Sequence, residues 1–275
     1  MGVPDSESVV SSAALYPLLT ERMAEMVTAQ GKLNREAYAE RWLELGNESE
    51  LSPTVYDYPL AAGMELAEFL NSWGYDWWGT KVWPRVEPID RANCMTELVD
   101  AWHFLMSQAI IEYGSEENAT KALVGAFIAT RPSIDTTHRG VIVQAKSLMS
   151  ICADWTFCTR MDDEGVAQSF ARFFQLVLDS GFTFEHFYYR YLAKLQLNVF
   201  RQLNGYRDKP RTYQKNWETV GGVEREDNYF LAEWIDGIFN DPEALEPTGE
   251  EIMNWIAQTY ATKTGKIAHT PATAG

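Results

Sequence analysis

From residue 15 onward the apolar positions recur at helical spacing. Leu15, Leu18, Leu19, Met23, Met26 and Val27 mark one helix face, with a helix predicted over 15–28. Gly31 follows as a predicted helix end or kink, before a short helix over 35–45. The two prolines of 47–59 mark a polar loop. A helix is predicted over 60–73, then an aromatic loop with Gly and Pro over 74–88. The clearest pattern covers 89–113. There Met95, Leu98, Val99, Trp102, Leu105, Met106 and Ala109 form an amphipathic core face. Glu97, Asp100 and Phe104 fall on a neighbouring face, which can look into a site. Further helices are predicted over 119–130, 133–158, 165–180 (stopped by Gly181) and 183–205. The last of these starts from a loose capping-box pattern at Thr183-Phe184-Glu185-His186. Residues 205–223 read as a loop with basic patches and Pro210, and helices close the chain over 227–240 and 248–262. No strand-like alternation, internal repeat or Pro/Ser-rich linker appears. The pattern therefore predicts an all-α multi-helix bundle: a flexible stretch over 1–12, one domain over 13–262 and a flexible tail over 263–275.

Composition narrows the partners. At 46% hydrophobic and 13% aromatic residues the chain can build a sizeable core. Its 23 Lys+Arg against 39 Asp+Glu give −16, which repels nucleic-acid backbones and anionic membranes. A small phosphorylated substrate stays compatible if metal ions and local cations bridge the charge. Cys94, Cys152 and Cys158 show neither metal-ligand nor CxxC spacing, so reduced thiols and a cytoplasmic setting are expected. No secretory leader is expected, and no apolar run approaches the roughly 20 residues of a spanning helix.

Two acidic clusters change the picture. Glu65-Leu66-Ala67-Glu68 and Glu97-Leu98-Val99-Asp100 each set two carboxylates three residues apart. On a helix such a pair shares a face, about 5–6 Å apart at Cβ. Acids so spaced are common on solvated helices. These stand among Met, Leu, Phe, Val and Trp, where bare charge is disfavoured. Brought face to face, the four would make an oxygen-ligand cage suited to Mg²⁺. His103 reads either as a structural group or as a partner that orients Asp100. The run Trp73-Gly74-Tyr75-Asp76-Trp77-Trp78 reads either as core packing or as a surface that stacks on a planar ring. Lys194, Arg201, Arg207, Lys209, Arg211 and Lys215 are either a solvated helix end or a clamp for phosphate oxygens. HExxH, Walker-type and GxSxG motifs are absent.

In chain order, Gln30-Gly31-Lys32-Leu33-Asn34, Glu65–Glu68 with Asn71-Ser72 and Trp77-Trp78, Glu97–Phe104, and Lys194–Tyr206 form a series. Tyr213-Gln214-Lys215-Asn216-Trp217 and Glu226-Asp227-Asn228 complete it. The series resembles that of the dimeric all-α dUTP pyrophosphatases, a family with bacterial and phage members related to MazG-like nucleoside triphosphate pyrophosphohydrolases. The resemblance implies the all-α NTP pyrophosphatase fold, a homodimer, and hydrolysis of dUTP to dUMP and pyrophosphate. It implies Mg²⁺ held by Glu65, Glu68, Glu97 and Asp100, with Glu65 taking the proton of the attacking water. Lys194, Arg201 and Lys215 would neutralise phosphate charge, and Tyr213 and Asn228 are further substrate-binding positions. Gln30, Asn34, Trp77, Phe104 and Asn198 would form the nucleoside pocket. The chain departs from the family at Asp76 and Gly79, where the loop usually carries lysines, at Leu195, where an Asn is usual, and in a longer turn at 208–211. The alternatives are a dCTP/dUTP or other dNTP pyrophosphohydrolase on the same fold, and a non-enzymatic helical module for a basic partner.

Overall fold

A computed structural model of the protein describes residues 12–38, 42, 57–75, 89–130, 136–155, 163–241 and 243–271. In chain order the helices are α1 (Ser12–Tyr38), α2 (Tyr58–Ser72), α3 (Arg91–Tyr113), α4 (Glu116–Ala129) and α5 (His138–Asp154). They continue as α6 (Asp163–Asp179), α7 (Phe184–Leu203), α8 (Asp227–Asn240) and α9 (Gly249–Thr264). Between α7 and α8 lies a hairpin of β1 (Asn216–Val220) and β2 (Val223–Glu226). The all-α class is as expected. Most of the aromatic 74–88 loop, with Asp76, Trp77, Trp78 and Gly79, lies outside the described residues.

The best-patterned helix is the centre of the molecule. Asp90 starts α3 by accepting the Asn93 N–H at 3.0 Å, and Gly114, at φ 72°, ends it in the left-handed conformation that glycine tolerates. Its predicted core face is buried throughout. Trp102 stacks on Phe173 of α6 with centroids 5.2 Å apart and meets Phe187 of α7 edge-on at 6.2 Å. α2 runs against α3 and also packs on α5, while α7, α8 and α1 cover other sides of α3. The α2–α3 pairing matters most here, because each of those helices carries one acidic cluster. Among the described residues no helix is long and apolar enough to cross a membrane.

The structure corrects three local expectations. Gly31 neither ends nor kinks off a helix, since α1 runs through it to Tyr38. Its missing side chain permits a close approach instead. A Cβ there would sit 2.1 Å from Glu116 Oε1, which Arg35 holds at 2.6 Å. Residues 216–223, expected as loop, form most of the hairpin. Its turn residues Gly221 and Gly222 have φ 60° and 85°, the pair of positive angles that a tight two-residue connection needs. Strands of five and four residues, in which Trp217 alone is buried, carry no alternating apolar face, so periodicity is blind to them. The reciprocal capping box belongs to α9, between Thr248 and Glu251, whereas Thr183 caps α7 by accepting only the His186 N–H. Beyond α9, the His269 N–H donates to Asn204 Oδ1 and Asn204 Nδ2 to the His269 carbonyl, both at 2.9 Å.

Candidate active site

Helical spacing puts Glu65 and Glu68 on one face of α2, and the α2–α3 contact brings Glu97 to them. One carboxylate oxygen from each of the three lies within 4.8 Å of the others. Asn93, one turn before Glu97, donates to Glu97 Oε1 at 2.9 Å and to Ser72 Oγ at 2.7 Å, which ties the α3 acid to the end of α2. Burial first, then the charges of Asp100 and Glu68, raise Glu65 from 4.5 to about 7. The same causes in the same order raise Glu97 to about 8. Neither side chain is stabilised in its charged form by the protein alone. Converging carboxylate oxygens with unmet charge fit a hard divalent cation, and the cluster holds no thiol or imidazole that would suit a softer ion.

Asp100 lines the same cleft but turns to the opposite wall. Its Oδ2 accepts from Lys194 Nζ at 2.7 Å, and Lys194 also donates to Asn228 Oδ1 at 3.1 Å. One and two turns along α7 come Asn198 and Arg201. The Arg201 guanidinium grips Asp227 with Nε to Oδ2 at 2.8 Å and Nη2 to Oδ1 at 2.6 Å. It also donates to Asn198 Oδ1 at 3.2 Å and Asn228 Oδ1 at 3.1 Å. Burial works against the guanidinium charge, and the Asp227 contacts outweigh it, so the Arg201 pKa is raised. Asp227 is 0% exposed and accepts a further hydrogen bond from the Tyr213 hydroxyl at 2.8 Å. Tyr213 is itself buried and lines neither lobe of the cleft, so it reaches the site through Asp227. The hairpin makes this possible. The Asp227 N–H donates to the Lys215 carbonyl at 3.0 Å, closing the hairpin and setting Asp227 at the first turn of α8. Lys215 sits at the rim, paired with Glu226 at 2.6 Å.

A second lobe of about 420 Å³ shares Glu65, Asp100, Lys194 and Arg201 with the acidic one and is walled by Gln30, Asn34, Tyr58, Phe104 and Asn198. That volume falls in the range of small-molecule sites, about 300–1,000 Å³. The half-buried Phe104 ring lies 6.5 Å from that of Tyr58. His103 does not orient Asp100; its Nδ1 lies 2.7 Å from Gln30 Oε1. Burial lowers the imidazole to about 4, so it is neutral at pH 7.

The structure thus gathers all the expected site residues around one cleft except Tyr213, which stands behind it, and Trp77, which lies outside the described residues. Sequence reasoning passed over Asn93, Ser107 and Tyr58 and gave Asp227 no role. Asn93 and Ser107 each left a trace, a small polar residue one turn from Glu97 or His103. Asp227 left none, because an acid at a helix start is ordinary.

A protein-family model described as dUTPase matches residues 22–206, about two thirds of the chain. The match takes in both acidic clusters, Lys194 and Arg201, and ends before the hairpin and the residues that flank it, Lys215, Asp227 and Asn228. No curated protein matches the chain.

Proposed function

The chain belongs to the dUTPase family and is a dUTP diphosphatase, and on that premise we propose that it hydrolyses dUTP to dUMP and pyrophosphate with Mg²⁺ as cofactor. The observation that carries this reading is the convergence of Glu65, Glu68 and Glu97 in a cleft whose facing wall presents Lys194 and Arg201. Glu65, Glu68 and Glu97 would hold the cation, with Asp100 as a further ligand once it is freed from Lys194. When bound, the ion supplies positive charge to the phosphate oxygens and acidifies water.

The remaining work falls to the chain's own groups. Lys194 and Arg201 bind the phosphates, Lys194 as a point charge and Arg201 with the second Nη1 N–H, which its bonds to Asp227, Asn198 and Asn228 do not use. Glu65 borders both lobes, so it can take the proton of the water that attacks phosphorus. The bridging P–O bond between the α- and β-phosphates breaks as the water oxygen bonds, which releases dUMP and pyrophosphate, and the charge left on the departing oxygen is met by the cationic wall. Phe104 and Tyr58 exclude water around the base. A homodimer is part of the proposal, to be read from the mass in solution. Family membership sets the non-enzymatic module aside.

The test is pyrophosphate release from a panel of dUTP, dTTP, dCTP, dATP and dGTP, with Mg²⁺ and with chelator. We expect dUTP to lead and chelator to stop turnover. Chelator-resistant cleavage would remove Mg²⁺ from the reading, and a purine nucleotide at the head of the ranking would overturn the pocket.

A further inference from the structure

We infer that His103 and Ser107 lock the carboxamides of Gln30 and Asn34 in one orientation, and that this lock is what makes the pocket accept uracil over cytosine. The inference rests on the dUTP reading of the cleft and names the positioning residues behind its base selectivity.

Gln30 and Asn34 stand one turn apart on α1, and His103 and Ser107 one turn apart on α3. At 4%, 3%, 7% and 1% exposure, none of the four can turn to solvent for a partner. The direction of every bond between them can be assigned. His103 Nδ1 faces Gln30 Oε1 at 2.7 Å, and a carbonyl oxygen only accepts, so Nδ1 carries the proton. Gln30 Nε2 then donates to Asn34 Oδ1 at 3.0 Å and to Ser107 Oγ at 3.1 Å. Asn34 Nδ2 donates to Ser107 Oγ at 2.9 Å. The Ser107 hydroxyl spends its proton on the His103 carbonyl at 2.9 Å, which leaves its oxygen free to accept from both amides.

Turning the network round is unfavourable at each end. A flipped Gln30 would point its NH₂ at Nδ1, which would have to become the acceptor and pass its proton to Nε2. Nε2 is buried with no hydrogen-bond partner among the described residues, so the flipped state would bury an N–H donor that none of them accepts. Asn34 would have to flip as well, and Ser107 would lose its bond to the His103 carbonyl.

Gln30 and Asn34 both line the lobe, and the lock leaves them a second lone pair on Gln30 Oε1, a second lone pair on Asn34 Oδ1 and the second N–H of Asn34. Across the lobe, Asn198 gives its Oδ1 to Arg201 at 3.2 Å and keeps its N–H groups to donate. A fixed carbonyl acceptor among amide donors suits the uracil imide, one N–H between two carbonyls. Cytosine reverses that edge: its N3 lone pair would meet the carbonyl, and its 4-amino group would stand where O4 accepts from an amide N–H.

The experiment compares kcat/KM for dUTP and dCTP in the Mg²⁺-loaded full chain and in Ser107→Ala, His103→Leu and His103→Asn. We expect the dUTP/dCTP ratio to fall about tenfold or more in Ser107→Ala, which removes three buried hydrogen bonds, and about tenfold in His103→Leu, which removes one, mostly through the KM for dUTP. His103→Asn, whose amide N–H can stand in for Nδ1–H, should restore most of the ratio. An unchanged ratio in Ser107→Ala would overturn the lock, as would His103→Asn falling as far as His103→Leu, which would leave packing alone. If His103→Leu fails to fold, Ser107→Ala still decides, since it removes a single oxygen. Imidazole nitrogen-15 shifts give a second readout independent of turnover, and an Nε2–H tautomer would sink the lock whatever the activity. A wild-type protein inert towards dUTP would instead overturn the function, while an active one whose variants keep the wild-type ratio overturns the lock alone.

Discussion

The two walls of the cleft handle charge in opposite ways. On the α2–α3 side, Glu65, Glu68 and Glu97 crowd together with a neutral amide, Asn93, as the support that fixes Glu97, and Glu65 and Glu97 lean towards their protonated forms. On the α7 side, Lys194 and Arg201 are buried to 6% and 7% exposure, and each is matched to a carboxylate, Asp100 or Asp227. The acids are incomplete without a cation, whereas each cation already has a carboxylate partner before any substrate arrives. A buried ion pair adds little net stability, because desolvation consumes much of the Coulombic gain. What the pairs on α7 provide is position: they hold two cations still in a chain whose net charge is −16.

The largest effect that would break the contrast is expected from Glu97→Gln. The variant keeps the shape of the side chain and removes a ligand charge. Losing several kcal/mol of transition-state charge stabilisation corresponds to a fall in kcat on the order of a thousandfold. Its melting temperature in chelator should not drop, because like-charge repulsion has been relieved. A variant with most of its kcat would reduce the acid cluster to a helix surface.

Asp227→Ala attacks the other wall. It strands the Arg201 charge in a buried site, and breaking such a pair typically costs about 3–5 kcal/mol. Chemical denaturation should show that loss, together with a raised KM because the guanidinium is no longer held. A loss below about 1 kcal/mol would mean that water reaches Arg201 and that the pair behaves as a surface one.

Metal removal sharpens the comparison through pH. The folded-state values of Glu65 and Glu97 lie near 7 and 8, above the ordinary 4.5. Between those limits the native protein holds protons that the unfolded chain has released, so stability in chelator should fall as pH rises through that window. Saturating Mg²⁺ favours the ionised acids and should flatten the slope. At a hundredfold excess over Kd it adds about 2.7 kcal/mol. Thermal melts across the window, with chelator and with Mg²⁺, measure both effects; parallel curves would show that these acids do not share a cation.

The smallest effect belongs to Lys215→Ala. The Lys215–Glu226 pair is 35% and 45% exposed, unlike the two buried pairs behind it. Stability should change by no more than about 1 kcal/mol. The KM for dUTP should rise severalfold with kcat nearly unchanged, and a kcat loss as large as that of Glu97→Gln would move Lys215 from the rim into the reacting centre.

Much of this was legible in the chain, and the reason is the range of the interactions involved. The core face from Met95 to Ala109 and the two acid pairs follow from a period of 3.6 residues, which acts over one or two turns. The hairpin was not legible by period, since its strands are short and bury only Trp217, although Val220-Gly221-Gly222-Val223 carried a turn signal. Gly31 misled because glycine serves turns and close approaches alike, and only the position of Glu116 on α4 tells which.

By itself the sequence determined that Glu65 and Glu68 share a face, that Glu97 and Asp100 share another, and that Lys194, Asn198 and Arg201 line up along one helix. The tertiary structure decided how those faces are completed. Glu97 joins the acids of α2, Asp100 turns to Lys194 from 94 positions away, and Arg201 meets Asp227 across 26. Which charge answers which depends on distances between packed elements and on how much water their contact removes, and no local period encodes either.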